Sequence, residues 1–74
     1  MKKDFQYITI VKIRDLPKTS IYEVQNKKGD YSIGIIKWNA GWRQYCFFPD
    51  GDTVYSVGCM KDICEFIQSL RGEP

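Results

Sequence analysis

Seventy-four residues make one domain, 1–74, whose core is so small that nearly every large apolar side chain is needed for packing, which weighs against a deep catalytic cleft. Eleven Lys and Arg against nine Asp and Glu give a net charge of +2, scattered along the chain and not clustered as a dedicated polyanion site requires. There is no histidine, which removes the commonest general base and a leading zinc ligand.

Met1-Lys2-Lys3 ahead of Phe5 to Ile13 has the outline of a signal peptide, but Asp4, Gln6 and Lys12 interrupt it and no small-residue cleavage site follows. No stretch approaches the ~18 apolar residues of a membrane span. A cytoplasmic location with no membrane partner is therefore expected. Cys46, Cys59 and Cys64 are an odd set at no framework spacing, which fits reduced thiols better than a disulfide scaffold. On one helix, Cys59 and Cys64 at i, i+5 would turn to different faces.

Residues 5–14 alternate as a first strand, with Phe5, Tyr7, Thr9, Val11 and Ile13 on one face and Gln6, Ile8, Ile10, Lys12 and Arg14 on the other. Both faces are partly apolar, so the strand belongs inside a sheet. Pro17 breaks the pattern over 15–19. Residues 20–26 form a second strand, with Tyr22 and Val24 toward the core and Ile21, Glu23 and Gln25 outward. Lys27-Lys28-Gly29-Asp30 is a turn with Gly29 expected at positive φ. The third strand is 31–38, where Gly34 marks either a bulge or a close approach by a backbone or a ring. Asn39-Ala40-Gly41 then supplies positive φ for a hairpin into a fourth strand, 42–48. Pro49-Asp50-Gly51-Asp52 is a turn, and 53–57 reads as a short fifth strand.

After Gly58 the period changes. Met60, Ile63, Cys64, Ile67 and Leu70 share one helical stripe, with Phe66 at its edge, so a helix is expected over 59–71. Asp62 and Arg71 suit its dipole, and Gly72 is a natural stop. The fold class is α+β: an antiparallel meander of about five strands, either open or curled into a partial barrel, with the C-terminal helix packed across one face.

The residues offer little for chemistry. There is no CxxC pair, glycine-rich phosphate loop, GxSxG elbow or paired-carboxylate signature, and Asp50 and Asp52 lack the further oxygen ligands of a calcium loop. Cys59 near the helix start has its thiol in the field of the dipole, against which capping or packing is the plainer role. A non-enzymatic protein with no catalytic residue, metal or cofactor is expected. Two binding readings remain. Trp38, Trp42 and Tyr45 flanked by Arg43 and Lys37 have the makeup of a protein hot spot, and a free strand edge offers strand addition or self-association. Alternatively, Trp42, Gln44, Cys46 and Phe48 share one face of the hairpin and Arg43, Tyr45 and Phe47 the other. If the second set turns away from the helix, with Lys37 or Trp38 alongside, it makes a platform for single-stranded nucleic acid or a nucleotide. The plain alternative is that both sets pack. The candidate binding residues are thus Lys37, Trp38, Trp42, Arg43, Tyr45 and Phe47.

The string IKWNAGWRQYCFFP, followed by Thr53-Val54-Tyr55-Ser56 and by Cys59-Met60-Lys61-Asp62-Ile63 to Phe66-Ile67, resembles a family of small uncharacterised proteins encoded by bacteria and their phages. The shared pattern is I-K-W, a short turn, W-R-Q-Y-C-F-F-P, then a helix beginning C-hydrophobic-x-D-I, and it runs from about Lys18 to Leu70. The resemblance implies a stand-alone accessory protein, with counter-defence or host takeover by holding a host protein or a small nucleotide. It brings no catalytic or ligand-binding residues.

Overall fold

A computed structural model describes residues 2–29 and 31–71. Its strands are β1 (Lys2–Asp4), β2 (Ile8–Asp15), β3 (Ser20–Asn26), β4 (Ser32–Asn39) and β5 (Gln44–Pro49), and its helix is α1 (Val57–Ser69). The strands pair antiparallel in chain order, as an open five-stranded meander with α1 after it. Alternation decides which face is covered: Ile8 and Ile10 of β2, Tyr22 and Val24 of β3 and Ile36 of β4 are buried against Cys59, Ile63, Phe66 and Leu70 of α1.

The sheet has its expected strand count with one member exchanged. Residues 53–56 form no strand, and Val57 already belongs to the helix. The Tyr55 hydroxyl donates to the Ile33 carbonyl at 2.8 Å, and the Thr53 hydroxyl donates to the Asp50 carbonyl at 2.8 Å. Side-chain bonds thus hold this segment where a ladder was expected. The fifth strand is instead β1, in register with Val11, Ile10 and Thr9 of β2. Its anchor is the Thr9 hydroxyl, which donates to Asp4 at 2.8 Å, together with the Phe5 amide on the Ile8 carbonyl at 2.8 Å.

The helix begins two residues before its expected start, because Ser56 caps it by accepting the Cys59 amide at 3.2 Å. Asp62 consequently falls outside the first turn, where it accepts the Tyr7 amide at 3.0 Å and ties the β1–β2 connection to α1. Arg71 lies past the cap residue Leu70, and Gly72 is outside the described residues. The buried stripe is also rotated from the expected one. Phe66, expected at the edge, is 1% exposed at the centre of the core, whereas Met60 is 51% exposed. An apolar arc wider than one contact face settles with its largest ring inward. Cys59 is buried and Cys64 exposed, as i, i+5 spacing requires.

The turn after β3 differs from expectation. Gly29 does not take positive φ; it lies beneath the Tyr31 ring, which leaves no room for a Cβ. The expected turn after β5 is present, and in it Asp52, at φ 62°, takes the left-handed conformation. Gly34 does mark a bulge, since the β3–β4 register shifts where Val24 faces Gly34 and Gln25 faces Ser32. Among the described residues no helix is long and apolar enough to cross a membrane.

Two exposed carboxylates tie strand ends together. Asp4 accepts the Thr9 hydroxyl, and Asp15 accepts the Ser20 hydroxyl at 2.8 Å with the Lys12 ammonium 3.2 Å away. Both carboxyls are held below the ordinary range, Asp4 chiefly by Thr9 with Lys27 and Lys2 adding, Asp15 by Ser20 and then Lys12. A depressed folded pKa contributes stability that is present above the unfolded value, about 3.9, and is lost as pH falls through the folded one. Thr9→Val should therefore lower the urea midpoint at neutral pH, and its deficit against wild type should shrink in acid. A deficit constant across that range, in urea titrations at several pH values, would contradict the role given to the Thr9 bond.

Candidate functional site

The β4–β5 hairpin and α1 enclose a groove whose floor follows from strand parity. Ile36 faces Phe47 and Trp38 faces Tyr45 across the pair, so the two sets share the face that carries Ile36 into the core. The buried stripe of α1 packs with β2 and β3. Met60, Cys64 and Ile67, the neighbouring stripe, look instead onto the hairpin, and the space between is a groove of about 740 Å³.

Its rings are fixed edge to face. Trp38 meets Tyr45 at 5.5 Å and 82°, Tyr45 meets Tyr22 at 6.2 Å and 62°, and Phe47 meets Tyr55 at 5.5 Å and 79°. The Tyr45 hydroxyl also accepts the Ser20 amide at 3.2 Å, which anchors the ring to β3. The floor is therefore preformed. Trp38 keeps 41% of its surface exposed beside this fixed ring.

Local backbone positions Arg43. Asn39 accepts the Arg43 amide on its carbonyl at 2.7 Å and the Trp42 amide on its side chain at 3.2 Å, closing a loop over residues 40–43. Positive φ falls on Arg43, at 56°, and not on the Asn/Gly pair as expected, so β5 begins at Gln44 instead of Trp42. Arg43 and Arg71 both line the groove, and no carboxylate does among its described residues.

Four of the six candidate residues, Trp38, Arg43, Tyr45 and Phe47, come together here. Lys37 does not: its ammonium lies on the opposite face, 4.8 Å from the Phe48 ring centroid. Trp42 stands in the hairpin loop, 70% exposed and outside the groove. Because Tyr45 and Phe47 face the helix side, the platform imagined on the far face is not built from them. Periodicity alone assigns the opposite wall, with Met60, Cys64 and Ile67, to the core. The signal that identifies it is Phe66 beside the stripe, one large apolar residue more than a single contact face holds. Among the described residues, no cluster of three or more His, Cys, Asp and Glu could hold a metal ion.

No protein-family model matches the chain, and no solved structure matches it. It is similar to the "Uncharacterized 9.3 kDa protein" of Acholeplasma phage L2, with 33% identity over 72 residues that span 96% of this chain and 92% of that one. Likeness at this level, along nearly the whole of both chains, makes the protein a member of the same family as that small phage protein.

Proposed function

We propose that this is a non-enzymatic accessory protein that holds a protein partner in the groove between α1 and the β4–β5 hairpin. In a phage setting the partner is a host protein, bound in counter-defence or host takeover. The observation that carries the reading is a preformed aromatic and aliphatic groove with arginine in its lining, left open in a chain with few apolar residues to spare. Single-stranded nucleic acid is the weaker reading. Trp38, Tyr45, Phe47 and Tyr55 present edges to one another, which does not make a row of stacking platforms, and two arginines give a polyanion little to hold.

Cys64 offers a direct test, being an exposed free thiol in the groove wall. In a Cys46→Ser variant, a bulky maleimide on Cys64 should reduce affinity capture of a partner from native host extract by an order of magnitude or more. Trp42→Ala, outside the groove, should leave capture intact. Unchanged capture after Cys64 is blocked, with the fold verified by thermal unfolding, would remove the groove from the function.

A further inference from the structure

The charge of the groove specifies its occupant further, on the reading that the groove holds a protein segment. We infer that the partner segment is amphipathic, with an apolar side that enters between Trp38 and Met60 and carboxylates beside it that meet Arg43 and Arg71. The two arginines line a mostly apolar groove from different elements, one in the hairpin loop and one just past the end of α1. Neither forms a salt bridge among the described residues. With no described carboxylate in the lining, the site has fixed positive charge and no partner for it among the described residues. Arginine's planar fork suits a carboxylate, and complementary rim charge selects a partner and its orientation while apolar contact supplies affinity. The same imbalance disfavours a second copy of this chain, since facing grooves would set arginine against arginine. The exposed Met60 and the half-buried Ile67 beside it suit the knobs of a helical segment better than flat bases.

The test uses two synthetic amphipathic peptides about four helical turns long, with the same leucine face and either glutamate or lysine beside it. Binding is read by fluorescence anisotropy, and the site by amide shift changes at Trp38 and Cys64. The glutamate peptide should bind the groove roughly twofold to thirtyfold tighter, the range for two rim pairs, with the excess falling as salt rises. Arg43→Glu with Arg71→Glu should reverse the preference, and Arg71→Glu alone should reduce it if the double variant does not fold. Equal affinity for both peptides overturns the charge inference and leaves the groove reading standing. Binding of neither overturns both. Tighter groove binding by single-stranded oligothymidylate, or a dimer by light scattering in which Cys64 is masked, overturns the inference in favour of a polyanion or of self-association.

Discussion

Phe66→Ala is expected to lower stability by about 3–5 kcal/mol, the cost of emptying a buried aromatic site. The ring is 1% exposed and meets Tyr22 edge-on at 4.9 Å and Phe5 at 6.3 Å, so alanine removes the contact that joins helix, sheet and the β1–β2 connection. At ordinary per-residue values a chain of 74 residues holds about 4–11 kcal/mol in all, so the variant should lose from about a quarter to all of its stability. Met60→Ala is the control from the neighbouring stripe. With Met60 half exposed in the groove wall, its truncation should cost under about 1 kcal/mol. Urea unfolding of the two variants checks the helix rotation itself. Equal losses, or a larger loss at Met60, would mean that the stripe read from periodicity is the buried one.

That pair of residues shows where periodicity stops. It finds the helix and its apolar arc, but the arc spans Cys59, Met60, Ile63, Cys64, Phe66, Ile67 and Leu70, and only tertiary packing chooses which edge turns inward. The strands followed the same rule. Ser20–Asn26 was legible to the residue because Tyr22 and Val24 alternate cleanly between turn signals. Lys2-Lys3-Asp4 was not, since nothing in two lysines and an aspartate suggests a strand until Thr9 is seen bonded to Asp4. Residues 53–57 alternate convincingly, yet Tyr55 and Thr53 use their hydroxyls on backbone carbonyls and hold the segment out of the ladder.

The site was half legible for a related reason. Parity alone puts Trp38 with Tyr45 and Phe47, and forces Lys37 to the other face. It cannot say which face the helix covers, so Tyr45 and Phe47 were open to either side. A loop ending at Gly41 places Trp42 on the strand, whereas Asn39 draws Trp42 and Arg43 into the loop.

Gly34→Ala should cost about 3 kcal/mol or more, and the groove should go with it. A Cβ at Gly34 would stand 2.6 Å from the Phe48 carbonyl oxygen and 2.7 Å from the Phe47 ring, on a backbone at φ 156° that L residues rarely adopt. Strain of this kind costs about 1–3 kcal/mol, and overpacking adds about as much again. The carbonyl belongs to β5 backbone, so it cannot withdraw without opening the pairing of Gly34 with Pro49. The Phe47 ring can move, but it would leave Tyr55 and disturb the groove floor. Gly41→Ala is the contrast: its Cβ would meet only Asn39 Oδ1, at 3.3 Å, with no left-handed backbone, and should change stability by under about 1 kcal/mol. Adding Phe47→Ala to Gly34→Ala separates the two conflicts. It removes the ring clash and leaves the carbonyl and the φ angle, so by urea unfolding Gly34→Ala should cost nearly as much in the Phe47→Ala background as in the wild type. No cost in that background would assign the requirement for glycine to the Phe47 ring alone, and the bulge in β4 would then tolerate a side chain.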